Sequence, residues 1–177
     1  MFEPCKTRWR AAALTLAALL ALGAGDASGI PPAEQLRRLE ETGIAQARKA
    51  IETKQDLWPF AFVVREDGRT QRLTTKKSRP RRGVDASAAL IEGLRKRAAS
   101  GAYRAVAIFR FVRITLPGGQ KTHAIYAGSE HASGHCGEVF VPYHETDDHE
   151  IRFESELRRS RAPEVFQRCD PLQESEP

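Results

Sequence analysis

The 177 residues carry 28 basic and 23 acidic side chains, a formal net charge of +5, and no catalytic, phosphate-binding or cofactor motif is legible among them. The net charge conceals a split: residues 28–122 hold 20 basic and 9 acidic side chains, whereas residues 123–177 hold 5 and 12. Two oppositely charged halves either neutralise each other within one fold or present a basic surface to an anionic partner.

Residues 1–27 read as a cleavable export signal. Lys6, Arg8 and Arg10 precede an apolar run over 11–22, and the small-residue tail GAGDASG follows. A run of about a dozen apolar residues is too short for a bilayer, which needs about 20, but suits a signal peptide. Cleavage after Ala27 puts Gly25 and Ala27 at the two small-residue positions, with Gly25 and Gly29 as alternative sites. Cys5 leaves with the signal, and no cysteine follows the run to take a lipid. The expected product is therefore residues 28–177, a single domain, periplasmic or secreted, without a transmembrane segment after cleavage.

Pro31-Pro32 opens a predicted helix over 33–54, with Leu36, Leu39, Gly43, Ile44, Ala47 and Ile51 on one stripe and charges opposite. The segment PFAFVVREDGRTQRLTT then predicts two strands turning at Asp67-Gly68. The first, 60–64, is apolar on both faces and suits a central strand; the second, 69–74, is polar enough for a sheet edge. A basic loop follows, KKSRPRR, holding Lys76, Lys77, Arg79, Arg81 and Arg82. Asp85 is placed to cap a second helix through Ser100, ended by Gly101, with Leu90, Ile91, Leu94 and Ala98 as its stripe.

The strongest strand signal is YRAVAIFRFVRITL, where Val106, Ile108, Val112, Ile114 and Leu116 share a face that Arg110 interrupts; Phe109, Phe111 and Arg113 take the other. Pro117-Gly118-Gly119 turns the chain into a strand over 121–129, and Ser133-Gly134 into another over 136–143. Residues 151–153 add a short strand. The tail beyond is polar and partly ordered, with Val165 and Phe166 as docking residues.

The order is α-β-β-α-β-β-β, an α+β domain with an antiparallel sheet of about five strands and two main helices; roadblock-like, profilin-like and PAS-like domains share this order as an architectural analogy. The segments PFAFVVREDGR, LIEGLRKRA, YRAVAIF, LPGGQKTHAI and EVFVPYH together resemble a family of small bacterial proteins with no known activity. The resemblance spans roughly residues 57–144. It implies no site residue or cofactor, and the export signal, the cysteines and His123 depart from the family's pattern.

Cys136 and Cys169 are the two cysteines left after export, and an oxidising compartment favours a disulfide between them if their Cα atoms approach within about 7 Å. All five histidines fall within 123–149. His131 and His135 flank one turn, while His144 and His149 bracket an acidic loop. Imidazoles from adjacent hairpin ends are weak candidates for zinc or copper, because the spacing matches no standard ligand pattern. Cys136 as a nucleophile with His135 or His123 as base is poorer still, since neighbouring strand residues point to opposite faces and a disulfide consumes the thiol. Ser133 lacks a nucleophile-elbow context, and Glu154 with Glu156 reads as exposed charge.

The expected function is binding rather than catalysis, with no cofactor and with a protein or an anionic envelope component as partner. The basic run carries no aromatic residue for base stacking, which disfavours nucleic acid. Candidate surfaces are the 76–82 loop, the outer face of the first helix and the 69–74 edge, where strand addition is open. A metal-handling protein using the histidine-rich turns is the alternative, and a thiol or hydrolytic enzyme comes third.

Overall fold

The structure, a computed structural model, describes residues 29–75, 83–167 and 170–171. The export signal, the basic run at 76–82 and Cys169 lie outside the described residues.

Helix α1, Pro32–Glu52, starts with proline at its first turn, where a missing N–H takes nothing from the helix. Its whole predicted stripe from Leu36 to Ile51 is buried. Strands β1 (Phe60–Arg65) and β2 (Thr70–Thr74) form a hairpin in which Gly68 takes φ +79, a left-handed conformation that glycine adopts without strain. Helix α2, Gly83–Ala99, leads into β3 (Tyr103–Thr115), β4 (Lys121–His131) and β5 (His135–Glu145), a meander of long antiparallel strands. Three short strands close the order: β6 (Ile151–Phe153), β7 (Leu157–Arg159) and β8 (Asp170–Pro171).

The α+β reading holds, with two corrections. The sheet runs β2-β1-β3-β4-β5-β6, and β7 and β8 also pair with β5, so it exceeds the expected five strands. These late strands are two or three residues long and mostly polar, too short to leave a period in the sequence. Helix α2 begins at Gly83, so position 85 falls inside its first turn rather than at the cap.

The sheet is covered on both sides. On one, α1 packs Leu36, Leu39, Ile44, Ala47 and Ile51 against Phe60, Val64, Ala107, Phe109, Ile125 and Val141. On the other, Leu90 and Leu94 of α2 meet Ala61, Val63, Val106 and Ile108, joined by Val165 and Phe166 from the tail. Strand β1 therefore is apolar on both faces because both are core, and each buried Leu, Ile or Phe contributes roughly 1.5–3 kcal/mol.

The two sheet edges differ. The outer side of β5 is occupied along its length: β8 pairs His135 and Cys136, β7 pairs Glu138 to Phe140, and β6 pairs Tyr143 to Glu145. The outer side of β2 pairs with no strand among the described residues.

Candidate functional site

The β2 edge adjoins a cleft of about 630 Å³ on the α1 side of the sheet. Gln46, Lys49 and Ala50 of α1 form one wall and the linker Gln55 to Trp58 another, over Phe60, Phe111 and the β2 residues Arg72 and Thr74. The guanidinium of Arg72 lies 5.0 Å from the centre of the Phe60 ring, so an apolar floor carries a cation at its rim. Leu57 is exposed here, the one large hydrophobic residue that is so among those described. Thr75, also in the lining, has a buried hydroxyl with no hydrogen-bond partner among the described residues. The chain runs on from Thr75 into Lys76 and the rest of the basic run.

The hairpin fixes which way the β2 backbone faces. Arg65 N–H donates to the Arg69 carbonyl at 2.9 Å, making 65 and 69 a hydrogen-bonded pair. Alternation along an antiparallel ladder then makes Gln71 and Leu73 the residues bonded to β1, and turns the N–H and C=O of Thr70, Arg72 and Thr74 outward. The register puts the side chains of these three on the same face as Phe60, Phe62 and Val64, the α1 face, which is also that of the cleft.

Of the other expected surfaces, only the outer face of α1 lies within the described residues. The outer face of α1 neutralises itself: Glu34 accepts from Arg37 at 2.7 Å and Arg38 at 2.8 Å, bonds that hold its carboxyl at about 2, and Arg37 also meets Glu41.

The histidines separate into four places. His123 stacks on Tyr143, with ring centres 5.9 Å apart. Buried His131 accepts the Ser133 N–H at Nδ1, and the Ser133 hydroxyl bridges it to His135, 2.7 Å from one ring and 3.0 Å from the other. His144 lies 3.4 Å from Glu154, and His149 lies 2.9 Å from Glu145. Only His131 and His135 are brought together, and the described residues hold no group of three His, Cys, Asp or Glu suited to a metal ion. Cys136 is fully buried, its Sγ 3.6 Å from the Arg161 carbonyl oxygen. His135, next to it on the strand, points to the opposite face.

Sequence reasoning missed the buried charges. On the α2 side, Glu130 takes backbone N–H groups of Glu164, Val165 and Phe166 at 2.7, 2.9 and 2.9 Å, and Arg161 lies against the same carboxylate. Arg110, which interrupts an apolar face in the sequence, pairs with Glu164 at 3.1 Å and lies over the Tyr126 ring at 4.3 Å. On the α1 side, buried Glu40 accepts from Ser129 at 2.5 Å and from Arg158 at 3.0 Å. Burial works against the Arg158 charge, but Glu40 and then Glu156 outweigh it and raise its pKa. The available signal was one dipeptide: Ser129-Glu130 is polar directly after the run AIYAG, and adjacent strand residues serve opposite faces.

No protein-family model, curated protein or solved structure matches the chain. Among the described residues, no helix is long and apolar enough to cross a membrane.

Proposed function

We propose that this is an exported binding protein, not an enzyme, and that it takes an anionic partner at the β2 edge, its cleft and the basic run that follows. The observation that carries this is the composition of the cleft: Trp58, Phe60 and Phe111 supply apolar area, Lys49 and Arg72 supply two positive charges against the one carboxylate of Asp56, and the wall leads in sequence into KKSRPRR. Apolar anchors flanked by a net positive charge suit a partner that combines an apolar side chain with carboxylates.

Export is supported by the order of charged, apolar and small residues in 1–27, and we assign Cys136 to a disulfide. We assign its partner as Cys169. Strand β8, which follows Cys169 directly in the sequence, runs parallel to β5 with Asp170 opposite His135 and Pro171 opposite Cys136. A disulfide persists in the periplasm or outside the cell, not in a reducing cytosol.

Trp58 is the single tryptophan of residues 28–177, since the other is Trp9, so its fluorescence reports on the cleft alone. Titration of residues 28–177 with polyglutamate is expected to shift Trp58 emission, with the shift fading as salt rises and screening shortens. Polylysine is expected to leave it unchanged. An equal response to both polymers, or none to polyglutamate, refutes the reading.

A further inference from the structure

We propose that the partner is a protein that adds an acidic, extended segment to β2 as a further strand of the sheet, with one large apolar side chain in the cleft; this rests on the anionic-partner reading above. The outward N–H and C=O groups of Thr70, Arg72 and Thr74 form a row of alternating donors and acceptors at strand spacing. Only another peptide backbone matches such a row, which favours a protein over a lipid surface or a sugar polymer. The opposite edge is made of three strands of two or three residues, β6, β7 and β8, so β2 with its five residues is the longer edge for strand addition among the described residues.

The same geometry selects the side chains of the added strand. Its alternate residues fall on the α1 face, where the cleft lies beside Arg72 and Thr74. One apolar residue on that face reaches Phe60, Trp58 and Phe111, while residues two positions to either side lie near Arg72 and Lys49 and are best as carboxylates. The Thr75 hydroxyl, which has no hydrogen-bond partner among the described residues, gives one of them a donor. A second copy of β2 is a poor occupant, because Thr70–Thr74 carries a cation at Arg72 and no carboxylate to meet the cations of the cleft.

The test uses residues 28–177 and the heptapeptide Thr-Glu-Thr-Phe-Thr-Glu-Thr, which places both glutamates and the phenylalanine on one face. Two further versions carry N-methyl groups at alternate residues, one at the odd positions and one at the even. Strand addition requires one of these to lose affinity by about tenfold or more and the other to bind like the parent, because only one set of amides faces β2. Hydrogen exchange read residue by residue is expected to slow at Thr70, Arg72 and Thr74 when the parent binds, and to stay unchanged at Gln71 and Leu73. Equal binding by all three peptides, or no slowing at the outward amides, overturns strand addition and leaves the anionic-partner reading standing. Failure of the parent peptide to bind while polyglutamate shifts Trp58 likewise overturns only strand addition; failure of both removes both.

Discussion

Arg161 and Glu130 form an ion pair inside the protein, Nη2 to Oε1 3.1 Å, with side chains 4% and 2% exposed. The carboxylate also receives three successive backbone N–H groups, so a single side chain on β4 fastens the tail from Arg161 to Phe166 onto the sheet. Breaking a buried pair by removing one member strands the other charge, at about 3–5 kcal/mol. Glu130→Ala is therefore expected to lower Tm by about 10 °C, at roughly 3 °C per kcal/mol for a domain of this size. It is also expected to open the tail to trypsin at Arg158, Arg159 and Arg161. Calorimetry and a proteolysis time course check this; a variant that melts with the parent and resists trypsin as well shows that the pair does not hold the tail.

Space, rather than backbone freedom, dictates Gly43. A methyl group there lands 2.0 Å from the tip of the Phe109 ring, which is fully buried and stacked on Phe60 with ring centres 4.8 Å apart. The ring has nowhere to go, so Gly43→Ala is expected to destabilise by about 1–3 kcal/mol in spite of alanine's better helix propensity. Urea midpoints check it through a second change: Phe109→Leu shortens the obstacle, and the double variant should lose less than the two single losses added together. Strict additivity refutes the contact.

The elements with a long period were legible in the sequence. Every residue of the predicted α1 stripe is buried, and 60–64 is covered on both faces as its apolar run required. The cleft was not legible, because Lys49, Trp58, Arg72 and Phe111 come from four elements and share no pattern along the chain. Charge patterning misled in a different way. Glu40 and Arg158 belong to no apolar stripe, yet Glu40 is 3% exposed and the two meet from positions 118 residues apart. Propensity and periodicity are local, so a buried ion pair formed by distant segments leaves them no trace.

Tyr126 makes alkaline stability testable. Burial raises its phenol pKa, against the opposing pull of Arg161 and Arg110, so the folded state holds this proton more tightly than the unfolded chain. The resulting stabilisation is complete below the ordinary tyrosine value of about 10 and is lost as pH rises through the higher folded value. Tyr143 is raised by burial as well. Tyrosinate absorbance is expected to develop late in the folded protein, and Tyr126→Phe to remove one late-titrating phenol and flatten the fall of Tm above pH about 10. Absorbance that rises at the unperturbed value, unchanged by the substitution, contradicts the assignment.

The Cys136–Cys169 assignment links the start of β5 to the end of the tail. Cys136 is fully buried beside the Arg161 carbonyl, and β8 follows position 169 at once, so a covalent bond there holds the tail beyond the point where Glu130 holds it. Closing a loop of this length stabilises by roughly 3–4 kcal/mol, chiefly by restricting the unfolded chain. Unreduced, denatured residues 28–177 are expected to show no reactive thiol, and two after reduction. Because the Glu130 pair remains when the disulfide is reduced, the reduced protein should stay folded, with Tm lower by about 10 °C on the same conversion. Cys169→Ser should reproduce that Tm without reductant and leave Trp58 emission unaltered, since the cleft lies at the opposite edge of the sheet. Two reactive thiols in the unreduced protein would exclude the bond and with it the strongest chemical support for export.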